Sequence, residues 1–288
     1  MDISVIMSGL PGKMATLVAE TIAKRESLED KNYMGLYGTG LTGENQPDKC
    51  SILDREIYLH PPQEHDRTLE TIRRITDPTI LKIIVDYTHP DAVNKNAELY
   101  CEHNLPFVMG TTGGDRKALE QVVLDSGNIA VISPNMAKSI VLFQAMMEYA
   151  AQTFPGALQD FTLGIAESHQ ATKKDTSGTA KAMVSYFNKL GISFKVEDIK
   201  MFREPEVQRA MGVPEQYLSG HGWHSYDVLS EDKTVFLGFK HNVNGRQVYA
   251  DGTIDAIRFL ARKVAHPEHG FRIKEGKVYS MIDVLKGN

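Results

Sequence analysis

The side chains best suited to chemistry lie together in Glu167-Ser-His169-Gln170-Ala-Thr-Lys173-Lys174-Asp175-Thr-Ser177-Gly178-Thr179-Ala180. His169 offers a proton-transfer group that titrates near neutral pH, and Lys173 a fixed cationic acid. Ser177 is placed to cap a following helix, leaving the amides of Gly178 and Thr179 free at its N-terminus. Free amides, helix polarity and the Thr179 hydroxyl make a site for a carboxylate or phosphate. A solvated loop before a well-capped helix has a similar composition. The proton-transfer pair beside the anion site is what favours chemistry. Four residues apart, His169 and Lys173 would share a face if helical; a loop after a strand is the better reading.

A second candidate lies near the start. Gly9-Leu10-Pro11-Gly12-Lys13-Met14-Ala15 separates the apolar run at 3–7 from Met14, Leu17, Val18 and Ile22, which recur at helical spacing. The spacing G-x-x-G-x-x-A departs from the strict dinucleotide fingerprint, but its chemistry is the same: glycines let backbone N–H groups approach a phosphate at a helix N-terminus. Sites that prefer NADH carry an acid at the end of the second strand, about 20 residues on. Residues 36–42 carry none, and the first acid is Glu44. Its absence removes a repulsion against a 2′-phosphate, with Lys13 offering charge and Thr39 a hydroxyl. NADPH is therefore expected, with NADH use left open.

Three further segments follow strand-like runs: Asp86-Tyr-Thr88-His-Pro90, Gly110-Thr111-Thr112-Gly113 and Ser133-Pro134-Asn135-Met136. Open parallel sheets bind ligands at the carboxyl ends of their strands. Each segment is also ordinary turn chemistry; three in register point to a ligand. Gly110-Thr111-Thr112 sets two hydroxyls where a nicotinamide carboxamide or ribose would lie.

The elements that must hold these groups follow from periodicity. Strand-like runs at 3–7, 33–37, 81–85, 107–109 and 129–132 alternate with helical patterns at 14–22, 68–76, 90–103 and 116–124. That alternation means a parallel sheet with crossover helices. After Pro134 the order changes to a helix at 138–153, a strand at 161–166, a helix at 178–190 and two longer strands near 224–229 and 234–241. Asn244-Gly245 reads as a hairpin signal, with Arg246 as a solvated turn residue. Ile254, Ile257, Leu260, Ala261 and Val264 form an amphipathic stretch that returns to the first domain. The fold class expected is α/β, with an N-terminal Rossmann-like parallel-sheet domain (1–135 and 253–288) and an α+β domain (136–252) for substrate binding and oligomerisation.

Composition narrows the function classes. Of 288 residues, 32 are Lys or Arg and 37 Asp or Glu, a net charge of −5; nucleic acid is not an expected partner, because phosphate-backbone binding needs a basic face. No apolar stretch approaches the roughly 20 residues of a membrane span, and MDISVIMSG lacks the parts of a signal peptide. With only Cys50 and Cys101, neither a disulfide framework nor a Cys-rich zinc site is expected, and no metal. A reducing compartment fits.

The 167–180 segment resembles the active-site motif of the 4-hydroxy-tetrahydrodipicolinate (dihydrodipicolinate) reductases. Gly9-x-x-Gly12-Lys-Met14, Val85-Asp-Tyr-Thr88, Phe107-Val-Met-Gly-Thr-Thr-Gly113 and Tyr279-Ser-Met-Ile-Asp-Val-Leu285 match the same family, so the likeness runs nearly end to end. The variant resembles the plant-type branch. Gln170 stands where the common bacterial pattern has a second histidine, and the Asp175-Thr176-Ser177 turn is one residue shorter.

The resemblance implies NAD(P)H-dependent reduction of a small cyclic dicarboxylate to tetrahydrodipicolinate, in lysine synthesis by the diaminopimelate route. It makes His169 the proton donor and acceptor and Lys173 the proton donor. Ser177, Gly178 and Thr179 bind a substrate carboxylate, joined by Thr112, and Gln170 adds an uncharged hydrogen bond. Cofactor contacts fall on Gly9, Leu10, Pro11, Gly12, Lys13, Met14, Thr39, Thr88, Gly110, Thr111, Thr112, Ser133, Pro134, Asn135 and Met136. It also implies hinge closure of two domains, and self-association through the middle domain's sheet as a homodimer or homotetramer. The expected location is cytoplasmic, or the plastid stroma for a mature plant form; a start almost at the first strand favours a bacterium with the plant-type variant. A semialdehyde dehydrogenase would need a nucleophilic cysteine, and Cys101 in mid-helix and Cys50 in an irregular loop argue against it. A non-catalytic NADPH sensor would not need the intact His169 and Lys173.

Overall fold

The computed structural model describes residues 2–26, 34–75, 77, 79–266, 270–271 and 275–287. The chain divides into two compact units, Met1–Lys138 with Tyr249–Asn288, and Ser139–Val248. The first contains β1 (Ile3–Ser8), α1 (Lys13–Glu26), β2 (Met34–Leu36), β3 (Thr39–Leu41), β4 (Lys49–Ile52), β5 (Arg55–His60), α2 (His65–Ile75), β6 (Leu81–Asp86), α3 (Val93–Glu102), β7 (Phe107–Met109), α4 (Arg116–Ser126) and β8 (Ile129–Ile132). The chain continues through α5 (Lys138–Thr153), β9 (Phe161–His169), α6 (Gly178–Lys189), β10 (Lys200–Phe202), α7 (Pro205–Ala210), β11 (His221–Ser230) and β12 (Phe236–Asn244). It then closes with α8 (Gln247–Val264), β13 (Ala265–His266), β14 (Gly270–Phe271), β15 (Lys277–Tyr279) and α9 (Met281–Lys286).

The main sheet of the first unit runs β15-β8-β7-β6-β1-β3-β5-β4, with β2 also on β1. Its ladders are parallel except for the β4–β5 hairpin. Val5, Ile6, Ile83, Ile84 and Val85 are fully buried, which is why β1 and β6 read as continuous apolar runs rather than alternating ones. Tyr100 and Phe107 meet edge-on at 5.4 Å in the core below β7. Helix α8 supplies the buried face Ile254, Ile257, Leu260, Ala261 and Val264. It lies so close to the chain after β8 that a Cβ at Gly252 would fall 1.7 Å from the Met136 carbonyl oxygen. The α/β class with a Rossmann-like first domain is thus the observed architecture.

The second unit is a sheet in the order β10-β9-β11-β12. Its buried side holds Ile165, Tyr226 and Val228 against Met147 and Ala151 of α5 and Met183, Val184 and Phe187 of α6. Among the described residues no helix is long and apolar enough to cross a membrane.

Several expectations need correction. Asn244-Gly245 makes no hairpin: β11 and β12 are joined at 231–235, where Asp232 accepts hydrogen bonds from Ser230 Oγ at 2.6 Å and the Thr234 amide at 3.1 Å. Gly245, with φ 75°, instead turns the chain from β12 towards α8 and donates its N–H to Gly220 O at 2.8 Å. Arg246 follows that passage, half-buried, with its guanidinium beside Gly220. Cys50 lies in β4, not in a loop. Pro90 opens a single 3-10 turn, Pro90–Ala92, and α3 starts only at Val93. The 33–37 and 68–76 readings extend to Tyr33 and Thr76, which lie outside the described residues.

Candidate active site

Register builds the centre of the second unit. In the β9–β11 ladder Glu167 pairs with His224 and His169 with Gly222, and in the β11–β12 ladder His224 pairs with His241. Glu167, His224 and His241 therefore stand abreast across three strands. Glu167 and His169, two apart on β9, share a face. His169 is the last residue of that strand, not part of a loop, because the ladder to β11 continues through it.

Glu167 is fully buried and forms an ion pair with Arg203, just beyond β10. Its Oε2 accepts the Ser177 amide at 3.1 Å. Burial alone would raise the Glu167 pKa, but the His224 imidazole facing it at 3.6 Å, the Arg203 guanidinium and the Ser177 amide outweigh it and hold the carboxyl well below the usual range. Arg203 also donates its Nε–H to Lys173 O at 2.7 Å, so one guanidinium ties β9 to the turn that carries the lysine. Gln208, buried in α7, donates to His169 O at 2.7 Å and Phe202 O at 3.1 Å.

The imidazole of His169 is half-buried, with Nδ1 at 3.1 Å from the His221 carbonyl oxygen. A carbonyl only accepts, so Nδ1 carries the proton and Nε2 the lone pair. That Nε2 lies 3.4 Å from His224 Nε2. Burial first, then neighbouring His224, push the His169 pKa down to about 4. The ring is neutral at physiological pH. His224 Nε2 is 2.9 Å from Ser177 Oγ, and its ring stacks on His241 at 4.5 Å.

Ser177 caps α6 by accepting the Ala180 amide at 3.1 Å. The amides of Gly178 and Thr179 have no partner among the described residues. A Cβ on Gly178 would meet nothing within 4 Å, so the space before the helix is open to an anion. Lys173 Nζ pairs with Asp175 Oδ1 at 2.9 Å, and the Lys173 amide closes a turn on Gln170 O at 2.9 Å. His169, Gln170, Lys173, Ser177, Gly178 and Thr179 thus share one region of the second unit.

The first unit gathers the other group of candidate residues at the carboxyl ends of β1, β6, β7 and β8. Gly9 has φ 102°, and a Cβ there would lie 2.4 Å from the Tyr87 carbonyl oxygen. Leu10 is buried, whereas Pro11, Gly12 and Lys13 are exposed and Met14 is partly so. Helix α1 has no acid in its first turn, so the exposed amides and Lys13 suit a diphosphate. Thr39 begins β3, part-exposed, beside Gly38, where a Cβ would meet nothing within 4 Å.

Buried Asp86 organises the next loops. It accepts Thr88 N at 3.0 Å, Thr88 Oγ1 at 2.8 Å, Thr111 Oγ1 at 3.1 Å, Asn96 Nδ2 at 3.0 Å and Tyr100 OH at 2.8 Å. Of the two hydroxyls after Gly110, that of Thr111 is therefore turned inward; Thr112 is exposed. Gly110 leaves room for the Tyr87 ring, whose hydroxyl donates to Thr253 Oγ1 at 2.5 Å. Ser133 Oγ donates to Asn135 O at 2.8 Å, with Pro134 exposed and Met136 buried. The donor set, with backbone amides, small residues and no competing acid at the glycine turn, fits a pyridine dinucleotide.

The sequence alone assigns no role to Glu167, which stands at the head of the motif, or to Arg203, Gln208, His224 and His241. The i, i+2 relation of Glu167 to His169 was available as a strand signal. The others come from separate elements and meet only through register.

Two family models cover the chain: "Dihydrodipicolinate reductase, N-terminus" matches residues 3–136 and "Dihydrodipicolinate reductase, C-terminus" residues 139–285. "Probable 4-hydroxy-tetrahydrodipicolinate reductase 1, chloroplastic" of Oryza sativa subsp. japonica is 45% identical over 284 residues, 98% of this chain and 78% of that protein. "4-hydroxy-tetrahydrodipicolinate reductase 1, chloroplastic" of Arabidopsis thaliana is 43% identical over 286 residues, 99% of this chain and 78% of that protein. The solved structure of a dipicolinate-bound dihydrodipicolinate reductase from a Paenisporosarcina species covers 97% of this chain and 98% of its own, with TM-score 0.63 and 18% identity, a likeness of fold. This chain belongs to the dihydrodipicolinate reductase family.

Proposed function

We propose that the protein reduces 4-hydroxy-tetrahydrodipicolinate to tetrahydrodipicolinate with NADPH, accepting NADH less readily. One observation carries the reading. The capped N-terminus of α6 is tied through Ser177 Oγ to His224 at 2.9 Å, and His224 lies 3.4 Å from the neutral His169. A carboxylate cradle and a proton-transfer group are thus held in one hydrogen-bonded assembly. Gly178 and Thr179 donate their amides to one carboxylate of the substrate, and Gln170 adds a neutral donor. The His169 Nε2 lone pair takes a proton, and the Lys173 ammonium supplies one.

When bound, a nicotinamide would supply a hydride to ring C4 of the substrate once the 4-hydroxyl has left as water together with a proton from the neighbouring carbon. The enamine left by hydride addition takes up a proton at that carbon, so one proton is consumed with each hydride. Lys173 donates that proton, and His169 carries the earlier one from the carbon to the leaving hydroxyl. In the first unit Gly9, Gly12, Lys13 and Met14 hold the diphosphate, and the lack of an acid from residue 36 to 43 leaves room for a 2′-phosphate.

Self-association as a dimer or tetramer belongs to the same reading. Strand β12 is the outer strand of its sheet and exposes Phe236 and Leu237. Sedimentation equilibrium at a mass of two or four chains checks it.

The test of function couples the protein to dihydrodipicolinate synthase and follows NADPH and NADH oxidation. Oxidation that needs the synthase product, faster with NADPH, is expected. Cofactor binding without turnover would overturn the reading.

A further inference from the structure

We propose that Glu167, His169 and His224 form a binding site for a divalent transition-metal ion of the zinc class, and that filling it switches the reductase off. The three facing atoms are the Nε2 atoms of His169 and His224, 3.4 Å apart, and Glu167 Oε2, at 4.0 Å from the first and 3.6 Å from the second. An ion in the plane of the three atoms would lie about 2.1 Å from each, the ordinary Zn–N and Zn–O distance, and tetrahedral coordination requires the Glu167 oxygen to draw in by up to about 0.6 Å, to donor separations of about 3.4 Å. The two rings meet edge to face, with centroids 5.0 Å apart and planes at 74°. Two imidazoles and one carboxylate with an open fourth position are a known zinc donor set. Glu167 and His224 are buried and only the His169 side chain keeps some exposure, 13%, so an ion would enter from that side.

The supporting contacts fit for His169, whereas the buried Nδ1 of His224 has no hydrogen-bond partner among the described residues. A metal-bound histidine usually donates its other N–H to a carbonyl or carboxylate, and His169 Nδ1 already faces His221 O at 3.1 Å. Glu167 keeps Oε1 on Arg203 while Oε2 faces the histidines. Ser177 Oγ, 2.9 Å from His224 Nε2, adds a nearby oxygen.

The charges decide what kind of site this is. Arg203 offsets the Glu167 carboxylate, and the Lys173 ammonium is also close in sequence, paired with Asp175. An ion entering there gains less than in a site with an unpaired carboxylate, so it exchanges with solution instead of being resident. Exchangeable occupation suits inhibition. The ion takes the His169 lone pair, which is the atom proton transfer requires; this second half rests on the proposed function, whereas binding does not.

The full chain, stripped with a chelator, is titrated with Zn2+ by calorimetry and with Co2+ by visible absorption. Turnover is followed in parallel at free Zn2+ fixed by a metal buffer, because pyridine-type dicarboxylates chelate zinc themselves. The expected result is one ion per chain, tetrahedral-type Co2+ bands, and loss of turnover that a chelator restores. His224→Gln should weaken binding by more than about 100-fold, beyond the loss of an outer-sphere partner. His169→Asn, altered on the part-exposed side, should do the same and guards against a folding defect in the first variant. His60→Gln, which removes a surface His–Glu pair, should change nothing. Absence of saturable binding, or binding that survives both site variants, overturns the site. Binding as expected with turnover untouched overturns the inhibitory role and, separately, the proton-transfer role of His169.

Discussion

Gly222 faces His169 across the β9–β11 ladder so closely that a Cβ at 222 would lie 3.0 Å from the imidazole Cε1. The ring is also held by Nδ1 to the carbonyl of His221, the residue before Gly222 on the same strand. It has little room to yield. Gly222→Ala should displace the imidazole by a few tenths of an ångström and lower kcat about 10- to 100-fold, the upper figure being the penalty for a 1 Å misplacement. NADPH affinity, a property of the first unit, should not change. Steady-state kinetics beside a fluorescence titration of NADPH checks this; an unchanged kcat would mean that the ring position does not limit turnover.

Lys173 tests the proton donor. Its ammonium is held by Asp175 at 2.9 Å, while its main chain is anchored by Arg203 and Gln170. Lys173→Ala removes the charge and leaves that backbone in place. The expected loss is about 10²- to 10⁴-fold in kcat, the range of a general acid, with NADPH affinity within about twofold. Equal losses in rate and cofactor affinity would refute the donor assignment.

What the sequence discloses depends on how far apart the cooperating residues lie. Strands β1, β6, β7 and β8 are apolar runs closed by turn residues, and both faces are covered, so composition alone finds them. The strands β4 and β5 are a small hairpin at the sheet edge with exposed alternating positions, and nothing in their composition separates them from loop. The polar Glu167-Ser-His169 reads as loop, yet it is strand, because β10 and β11 flank it. His169, Lys173, Ser177, Gly178 and Thr179 are contiguous and readable. Arg203, His224 and His241 are not, since single-strand periodicity says nothing about which residues stand abreast. Asn244-Gly245 misleads for a related reason: φ above zero is needed at a strand-to-helix passage as well as in a hairpin.

His65 provides a pH dependence that is independent of catalysis. Its Nε2 lies 3.1 Å from Thr42 O and 3.0 Å from His60 O, in the first turn of α2. Burial lowers its pKa, against the opposing pull of those carbonyls. Below about pH 6.5 the unfolded chain takes up a proton that the folded state resists. The contribution is therefore present above about 6.5 and lost as pH falls towards the lowered folded value. His65→Gln can keep one donor to these carbonyls but cannot titrate. Its unfolding free energy should drop less than that of the wild type between about pH 7.5 and 5.5. Parallel urea titrations decide it, and identical drops would remove His65 from the acid sensitivity.

Asp86 holds the loops after β6 and β7 in one arrangement, since Thr88 and Thr111 both donate to its Oδ1, at 2.8 and 3.1 Å. Asn96 and Tyr100 bond its Oδ2 at 3.0 and 2.8 Å. Asp86→Asn preserves shape but replaces one acceptor oxygen by a donor, so either the threonine pair or the Asn96–Tyr100 pair meets an N–H. Each hydrogen bond to a charged group contributes about 1.5–3 kcal/mol, and the carboxylate's charge is lost for the rest. The variant should be destabilised by about 2–4 kcal/mol. It should also bind NADPH at least about tenfold more weakly, because a loop that must be ordered on binding subtracts that free energy from affinity. The discriminating comparison is Thr112→Val, whose hydroxyl is exposed and makes no bond to Asp86. That change should leave stability within about 0.5 kcal/mol, so a stability loss confined to Asp86→Asn identifies the buried carboxylate as what orders both loops.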